Sequence, residues 1–250
     1  MAFRKNNTYK YESGKTFRLS RSGIDSFINC KRCFYLNKVG NIKDIGMPGF
    51  SLNSAHDELM KKELDIYREK AEAHPYMDSL ERNLIPFKHE NMENWRNNFK
   101  GITYHHEKTD LIITGAIDDV WIDTDTNELI VVEYKSTSTQ NEIDLNDGTP
   151  WKEQYKRQID IYQWLFKMNG FKVADDSVFL YSNGIKTLDR FNDVMEFETH
   201  VLEYKGSTEW VEDKIFEIKK VLDTQSIPQT TDGCDTCSYV ESVNELKNLN

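Results

Sequence analysis

Two neighbouring stretches in the middle of the chain, LIITGAIDDVWI (residues 111–122) and ELIVVEYKS (residues 128–136), decide the fold. Both are rich in residues that favour strands, and the segment DTDTN between them is typical of a hairpin turn. On a strand, Glu133 and Lys135 are two positions apart and share one face. Burying a carboxylate in such an apolar strand costs free energy unless the charge is compensated. The pair is therefore either part of a site or an exposed ion pair on an edge strand.

Two aspartates, Asp118 and Asp119, lie in the first stretch, after Gly115. Glycine at this place allows another group to approach the backbone closely. Carboxylates that converge from two adjacent strands form a hard oxygen site suited to Mg²⁺ or Mn²⁺. A nearby ammonium, such as that of Lys135, can stabilise the charge on an attacked phosphate or help to deprotonate water. Spacing alone leaves the metal site and the exposed ion pair equally open.

Around this hairpin the chain alternates between helical and extended patterns. Apolar residues at helical spacing predict the helices, and β-rich runs predict the further strands. We expect helices over 22–34, with Ser22 as N-cap, 55–67, 151–168 and 208–222, an interrupted helical region over 71–100, and strands over 177–182 and 193–204. Pro228 is expected to end the regular structure. This order predicts an α/β fold in which helices flank a central mixed β-sheet.

The four cysteines form two C-x-x-C pairs, Cys30 with Cys33 and Cys234 with Cys237. Disulfides do not persist in the cytosol, so two such pairs indicate a metal or cluster site. Four thiolates suit zinc or an iron–sulfur cluster, and ligand chemistry alone does not separate the two. The alternatives are four small buried side chains or a redox dithiol. A four-cysteine site would join the N-terminal and C-terminal segments.

Length, composition and charge limit the class of protein. The chain has 250 residues, of which 38% are hydrophobic and 30% charged, as in globular proteins. Its net charge of −10 argues against a generally basic DNA-coating protein. Residues 1–40 nevertheless hold nine bases and two acids, whereas residues 41–250 hold 23 bases and 40 acids. The basic segment is either a local contact for a polyanion or a solvated arm.

No apolar run approaches the roughly 20 residues that cross a bilayer, and no apolar signal-peptide segment stands near residue 1. The mean hydropathy is −0.69. We therefore expect no membrane association and a cytoplasmic location.

Three ordered motifs carry a resemblance to a known family. GAID (115–118), fourteen further residues and EYK (133–135) resemble the core signature of the PD-(D/E)XK nucleases. Gln158 and Tyr162, four apart on one helix face, resemble the Q-x-x-x-Y motif of the RecB-like branch. SGIDSFINCKRCFYL (22–36) is similar to the opening of the iron–sulfur members, which include CRISPR-associated exonucleases and helicase-nuclease subunits. No single motif is specific, but the ordered set is.

The resemblance implies a single nuclease domain over 1–250 with a restriction-endonuclease-like core. Its helical N-terminal part would span 20–100, and its catalytic sheet and helix 101–205. The segment 206–250 would supply the C-terminal helix and the cysteine clasp.

The resemblance also implies a DNA nuclease, expected to be an exonuclease in repair, recombination, or phage- or CRISPR-related processing. It places Mg²⁺ or Mn²⁺ between His56, Asp118, Glu133 and the backbone carbonyl of Tyr134. Asp57 and Asp119 are the alternatives to His56 and Asp118.

Six further residues receive roles by the same resemblance. Lys135 would position the nucleophile, and Gln158 would orient Lys135 or a phosphate oxygen. Tyr162 would contact the DNA backbone, with an ordinary core position as the alternative. The candidate DNA contacts are Arg32, Tyr155 and Arg157; Arg32 is equally suited to lie beside the cluster.

In the family, one N-terminal and three C-terminal cysteines commonly hold a 4Fe–4S cluster. The two-and-two arrangement here departs from that pattern, so the resemblance implies 4Fe–4S with Zn²⁺ as the alternative. The expected partners are single-stranded DNA or duplex ends, and a helicase or other processing protein. Two rival functions remain: a non-catalytic nucleic-acid-binding module in a larger assembly, and a zinc-organised protein-interaction domain.

Overall fold

Helices and strands alternate along the chain, as the sequence pattern predicts. The computed structural model describes residues 8–43 and 49–247. Its elements are β1 (Phe17–Ser20), α1 (Arg21–Asn29), α2 (Lys31–Lys38), α3 (Ser51–Lys70), β2 (Leu84–Pro86), α4 (Met92–Arg96), β3 (Ile102–His106), β4 (Leu111–Gly115), β5 (Asp119–Asp123), β6 (Leu129–Thr137), α5 (Pro150–Met168), β7 (Asp176–Gly184), β8 (Phe197–Lys205), α6 (Glu209–Asp223) and α7 (Asp235–Lys247). A short 3₁₀ helix follows α3 at Pro75–Met77.

The central sheet has five strands in the order β2-β5-β6-β7-β8. Strands β5 and β6 form the antiparallel hairpin that the sequence predicts. Strand β7 lies parallel to β6 and antiparallel to β8. Parallel neighbours need a crossover connection, and helix α5 lies in the segment that joins β6 to β7. The predicted α/β fold with a mixed central sheet is confirmed.

Apolar side chains cover the sheet on the side of helix α3. Leu64 of α3 packs in one cluster with Leu84, Trp121, Val132 and Leu180 from four strands. Helix α5 is more deeply buried, because every side chain over 158–166 is inaccessible or nearly so. A helix buried around most of its circumference belongs to a core, so the polar residues in this stretch must find partners inside the protein.

The expected helix over 22–34 is wrong in one respect, since two helices take its place. Ser20, not Ser22, caps α1 by accepting a hydrogen bond from the Gly23 N–H. The helix stops at Cys30, whose backbone is extended with φ −157° and ψ 114°. Cys30 then caps α2, and its Sγ accepts from the Cys33 N–H at 3.5 Å. A cysteine turn that presents both thiols on one side thus interrupts the apolar periodicity.

The region 71–100 is less helical than its composition predicts. It contains only the 3₁₀ turn and α4 as helices, and β2 forms an edge strand of the central sheet. Pro86 ends β2, which is compatible with an edge position because proline lacks a donor N–H. The stretch 111–122 also differs, because residues 116–118 divide it into β4 and β5 in separate sheets.

Regular structure does not end at Pro228. Helix α7 follows it and carries Cys237 in its first turn. Strand β3 was also absent from the sequence-based expectations, and it joins β1 and β4 in a three-stranded sheet. No helix within residues 8–43 and 49–247 combines the length and hydropathy needed to cross a membrane.

The chain forms two compact units, each assembled from separated segments. One comprises Met1–Pro48, His105–Ile113 and Glu209–Asn250. The other comprises Gly49–Tyr104 and Thr114–Thr208. The first contains all four cysteines, and the second contains the central sheet with α3 and α5.

A buried ionic network lies beside the hairpin in the second unit. The Asp119 carboxylate is completely buried and pairs with the guanidinium groups of Arg68 and Arg96. It also accepts hydrogen bonds from the Val120 N–H at 2.7 Å and from the Tyr134 hydroxyl at 2.7 Å. Every oxygen of this carboxylate is therefore engaged in holding β5, β6, α3 and α4 together.

We expect Asp119→Ala to lower the free energy of unfolding by about 3–5 kcal/mol, because it removes the fully buried carboxylate from Arg68 and Arg96 and leaves these guanidinium groups to pair with the partly exposed Asp65. Chemical denaturation followed by far-UV circular dichroism measures the loss. Asp213→Ala, at an exposed position of α6, is the control and should change stability by less than about 0.5 kcal/mol. Equal effects of the two substitutions would contradict the role given to Asp119.

Candidate active site

The loop 116–118 and strand β6 bring two carboxylates together in the second unit. The Tyr134 N–H donates to Asp118 Oδ2 at 2.9 Å, which fixes the aspartate against β6. Glu133 and Lys135 lie on the face of β6 opposite Tyr134, as strand alternation requires. The Tyr134 ring packs into the apolar cluster instead. The hydrogen bond from the Tyr134 N–H thus holds the Asp118 carboxylate beside the strand that carries Glu133, where the sequence predicts it.

Glu133 is buried, with 3% of its surface exposed, and it has partners on only one oxygen. Its Oε1 accepts from Lys135 Nζ at 2.6 Å and from Gln158 Nε2 at 2.7 Å. Gln158 Oε1 accepts from Lys135 Nζ at 3.3 Å, which closes a triangle of three side chains. Glu133 Oε2 is buried and has no hydrogen-bond partner among the described residues. An orphaned buried carboxylate oxygen is unusual, and a bound ion, an ordered water or a catalytic role accounts for such an atom.

Tyr162 supports this triangle from within the protein. Its hydroxyl accepts from Gln158 Nε2 at 3.0 Å and donates to the Ala116 carbonyl at 2.5 Å. The side chain is 2% exposed, so the expected contact between Tyr162 and the DNA backbone is not compatible with its position. The tyrosine instead ties Gln158 to the loop that carries Asp118.

Gly115 makes room for Tyr162. A Cβ at position 115 would lie 2.5 Å from Cε1 and 2.8 Å from Cδ1 of the Tyr162 ring. Such distances are far inside van der Waals contact, so no other residue type fits without displacing the ring. The glycine of the GAID motif therefore has a packing role that extends to Gln158.

Lys135 also has an aromatic neighbour. Its Nζ lies 4.2 Å from the centroid of the Tyr155 ring, within the range of a cation–π interaction. Tyr155 and Arg157 are both half-buried on α5. Their expected DNA contacts stay predictions, and Tyr155 acquires a second role as a support for Lys135.

Several charged groups near Asp118 affect its pKa. Burial and the neighbouring Glu133 carboxylate raise the pKa of Asp118, while Lys61 and Lys135 oppose this shift. Lys61 Nζ lies 3.7 Å from Asp118 Oδ1 and 2.8 Å from Asp57 Oδ2. Lys61 was missed by sequence reasoning. Its only signal was its place four residues after Asp57 on a helix, and that spacing is common on helix surfaces.

His56 is half-buried on α3, and its ring centroid is 5.4 Å from that of Phe197. Burial lowers the pKa of His56 although Asp57 and Asp118 act against it, which favours the neutral imidazole that binds metals. Among residues 8–43 and 49–247, only the four cysteines form a group of three or more His, Cys, Asp or Glu side chains whose ligand atoms lie within 4.8 Å of one another. His56, Asp118 and Glu133 do not meet that distance as a set.

A family model of the PD-(D/E)XK nuclease superfamily matches residues 18–242. The chain belongs to this superfamily. No curated protein matches the chain. The superfamily match covers both units and includes the GAID and EYK motifs together with all four cysteines.

The donor set fits the divalent cation that PD-(D/E)XK nucleases use. Asp118 and Glu133 supply hard carboxylate oxygens, and one of these, Glu133 Oε2, is buried with no hydrogen-bond partner in the described part of the chain. The rival reading of Glu133 and Lys135 as an exposed ion pair on an edge strand is wrong, because β6 is central and Glu133 is buried. Asp119 is committed to two arginines, and this commitment favours Asp118 as the ligand.

The four cysteines converge in the first unit. Cys33 Sγ lies 3.6 Å from the Sγ atoms of both Cys234 and Cys237, and Cys30 Sγ lies 3.9 Å from that of Cys237. Burial opposes the ionisation of these thiols and raises the pKa of Cys33 and Cys234, whereas backbone N–H donors of Cys33 and Thr231 lower the pKa of Cys30 to about 6. All four Sγ atoms lie within 4.8 Å of one another, so the four thiols can share one metal centre.

Arg32 lies between the first two cysteines, and its Nη1 is 3.2 Å from Glu241 Oε1 of α7. This pair favours the alternative role of Arg32 beside the cysteine centre, since a phosphate would have to displace Glu241. Its expected DNA contact stays a prediction.

We expect Gly115→Ala to destabilise the protein by about 1–3 kcal/mol, because the new methyl group overlaps the Tyr162 ring. In a Tyr162→Ala background the same change should cost much less, since the ring is gone. Thermal and chemical denaturation of the four proteins measure this coupling.

Gly49→Ala is the matched control, because an added Cβ there meets no described atom within 4 Å. An unchanged cost of Gly115→Ala in the Tyr162→Ala background would show that the ring is not the cause.

Proposed function

We propose that the chain is a metal-dependent DNA nuclease that hydrolyses phosphodiester bonds. The observation that carries this proposal is the buried Glu133 carboxylate. Among the described residues, one of its oxygens has no hydrogen-bond partner, and Asp118 and Lys135 stand beside it. A structural ion pair would engage both oxygens, as the buried Asp119 carboxylate does. A site that must accept a cation would leave one oxygen available.

Asp118 and Glu133 would hold Mg²⁺ or Mn²⁺ with the backbone carbonyl of Tyr134 and His56 as further ligands. Asp57 is the alternative to His56, because it shares Lys61 with Asp118. When bound, the cation supplies a charge that neutralises the scissile phosphate and makes water more acidic.

Lys135 supplies the positive charge that acts on the attacking water and the phosphate. Its ammonium group is held between Glu133, Gln158 and the Tyr155 ring. From there it donates to the attacking water or to a phosphate oxygen and stabilises the charge that develops in the transition state. Gln158 acts as a positioning residue, because it donates to Glu133 and accepts from Lys135. Tyr162 in turn positions Gln158.

The finer parts of the proposal rest on the resemblance to the RecB-like branch. They are exonuclease action on single strands or duplex ends, a role in repair, recombination, or phage- or CRISPR-related processing, a helicase or other processing protein as partner, and a cytoplasmic location. The Q-x-x-x-Y pair supports the resemblance itself, since Gln158 and Tyr162 are hydrogen-bonded to each other beside Glu133.

We expect Glu133→Gln and Lys135→Ala to lower Mn²⁺-dependent cleavage of DNA by more than about 100-fold, because each removes a charge that acts on the transition state. Both proteins should keep the circular dichroism spectrum of the parent. Cleavage is measured with end-labelled linear single-stranded and duplex DNA and with circular DNA. Loss of the linear substrates while circles persist identifies an exonuclease.

The matched controls are Glu142→Gln and Lys172→Ala, which change the same charges at exposed positions. They should cleave at the parental rate. Full activity of the Glu133 and Lys135 variants would overturn the assignment. DNA binding by the parent protein without hydrolysis in Mg²⁺ or Mn²⁺ would favour the non-catalytic binding module instead.

A further inference from the structure

The cysteine centre has a geometry that discriminates between its two candidate occupants. Three sulfur–sulfur distances are 3.6, 3.6 and 3.9 Å. All four Sγ atoms lie within 4.8 Å of one another. We infer that this centre binds a single tetrahedral Zn²⁺, and that the 4Fe–4S cluster implied by the resemblance does not fit these residues.

The argument follows from bond lengths. Four sulfurs about 2.3 Å from one tetrahedral ion are about 3.8 Å apart. In a 4Fe–4S cluster each thiolate binds a different iron, so the cluster core separates the sulfurs by about 6 Å. The Sγ atoms here have the spacing of the first arrangement. To bind a 4Fe–4S cluster, the Sγ atoms of the two C-x-x-C turns would have to move apart by about 2 Å.

The two turns are built alike, which supports one shared ion. Cys30 immediately precedes α2 and Cys33 lies in its first turn, while Cys234 immediately precedes α7 and Cys237 lies in its first turn. Each pair therefore stands at the N-terminus of a helix, where the backbone dipole and free N–H groups stabilise thiolates. Two such half-sites, each with two thiolates, complete the four-sulfur shell typical of structural zinc.

The ion would hold α7 in place, which apolar packing does not do. Of the described residues of α7, only Cys237 is buried. Hydrophobic burial thus contributes little to holding this helix. The centre, with the Arg32–Glu241 ion pair, is what attaches α7 to α1 and α2. Removing the ion should release α7 while leaving Glu133 and Lys135 in place.

The test is the metal content of the full chain, purified without oxygen from cells supplied with both iron and zinc. We expect one zinc per chain, no acid-labile sulfide and no colour. Replacement by Co²⁺ should give the intense visible bands of tetrahedral thiolate coordination. Iron in the centre, with or without labile sulfide, would overturn the zinc assignment, and so would a metal-free protein that cannot take up Zn²⁺ or Co²⁺.

Two variants and a second measurement make the test independent of folding yield. Cys33→Ser and Cys237→Ser should each lose the stoichiometric zinc, whereas Ser238→Ala, beside a ligand on α7, should keep it. In the parent protein, a zinc chelator should increase hydrogen exchange at least tenfold in α7 and leave β6 unchanged. Unchanged exchange in α7 after zinc removal would refute the structural role. These readouts do not depend on nuclease activity, so they stand or fall separately from the proposed function.

Discussion

The burial of one negative charge, that of Glu133, determines most of what surrounds it. A carboxylate on a central strand at 3% exposure loses its hydration, and the effective cost is several kcal/mol unless partners replace the water. Lys135 and Gln158 replace it on one oxygen. Gln158 must then be held inside α5, which Tyr162 does, and Tyr162 fits only because residue 115 has no side chain. The burial of the Glu133 charge therefore depends, through Gln158 and Tyr162, on the absence of a side chain at Gly115.

Adjacent residues Asp118 and Asp119 take opposite tasks because neighbouring side chains at a strand start point in different directions. Asp119 is saturated by Arg68, Arg96 and the Tyr134 hydroxyl. Arg96 also donates through Nε to the Asp118 backbone carbonyl at 3.0 Å. The buried network therefore fixes the backbone at Asp118 while leaving its carboxylate to face Glu133. Rigid placement of this kind is what a metal ligand needs, since coordination tolerates little positional error.

The parts of this arrangement that could be predicted from sequence are those with a local signature. The β5–β6 hairpin follows from its turn and from alternation, and α5 follows from its periodicity, whereas the approach of Gln158 to Lys135 was expected only from the family resemblance. Arg96 and Lys61 were missed because each reaches the site from a distant helix, and nothing in the spacing of a lone basic residue records a long-range ion pair. The break at Cys30 was missed because the apolar periodicity continues through it, whereas the backbone there is extended and Cys30 caps α2. Helix α7 was missed because it buries almost no apolar surface, and such burial is the signal that helix prediction uses.

The carboxylate site and the cysteine site differ in how much apolar burial holds the surrounding structure together. At the carboxylates, the fold is formed by apolar burial, and the charged groups are stabilised within it by hydrogen bonds from β6 and α5. At the cysteines, the order is reversed, because Cys237, a thiol, is the one buried side chain among the described residues of α7. With the proposed zinc bound, coordination bonds would take the place of a hydrophobic core there, as in small zinc domains whose folding free energy is binding free energy. Cysteine spacing in such a segment therefore carries the structural information that apolar periodicity carries elsewhere. For that reason the C-x-x-C pairs, and not the hydropathy of the tail, made its attachment to the N-terminal helices predictable.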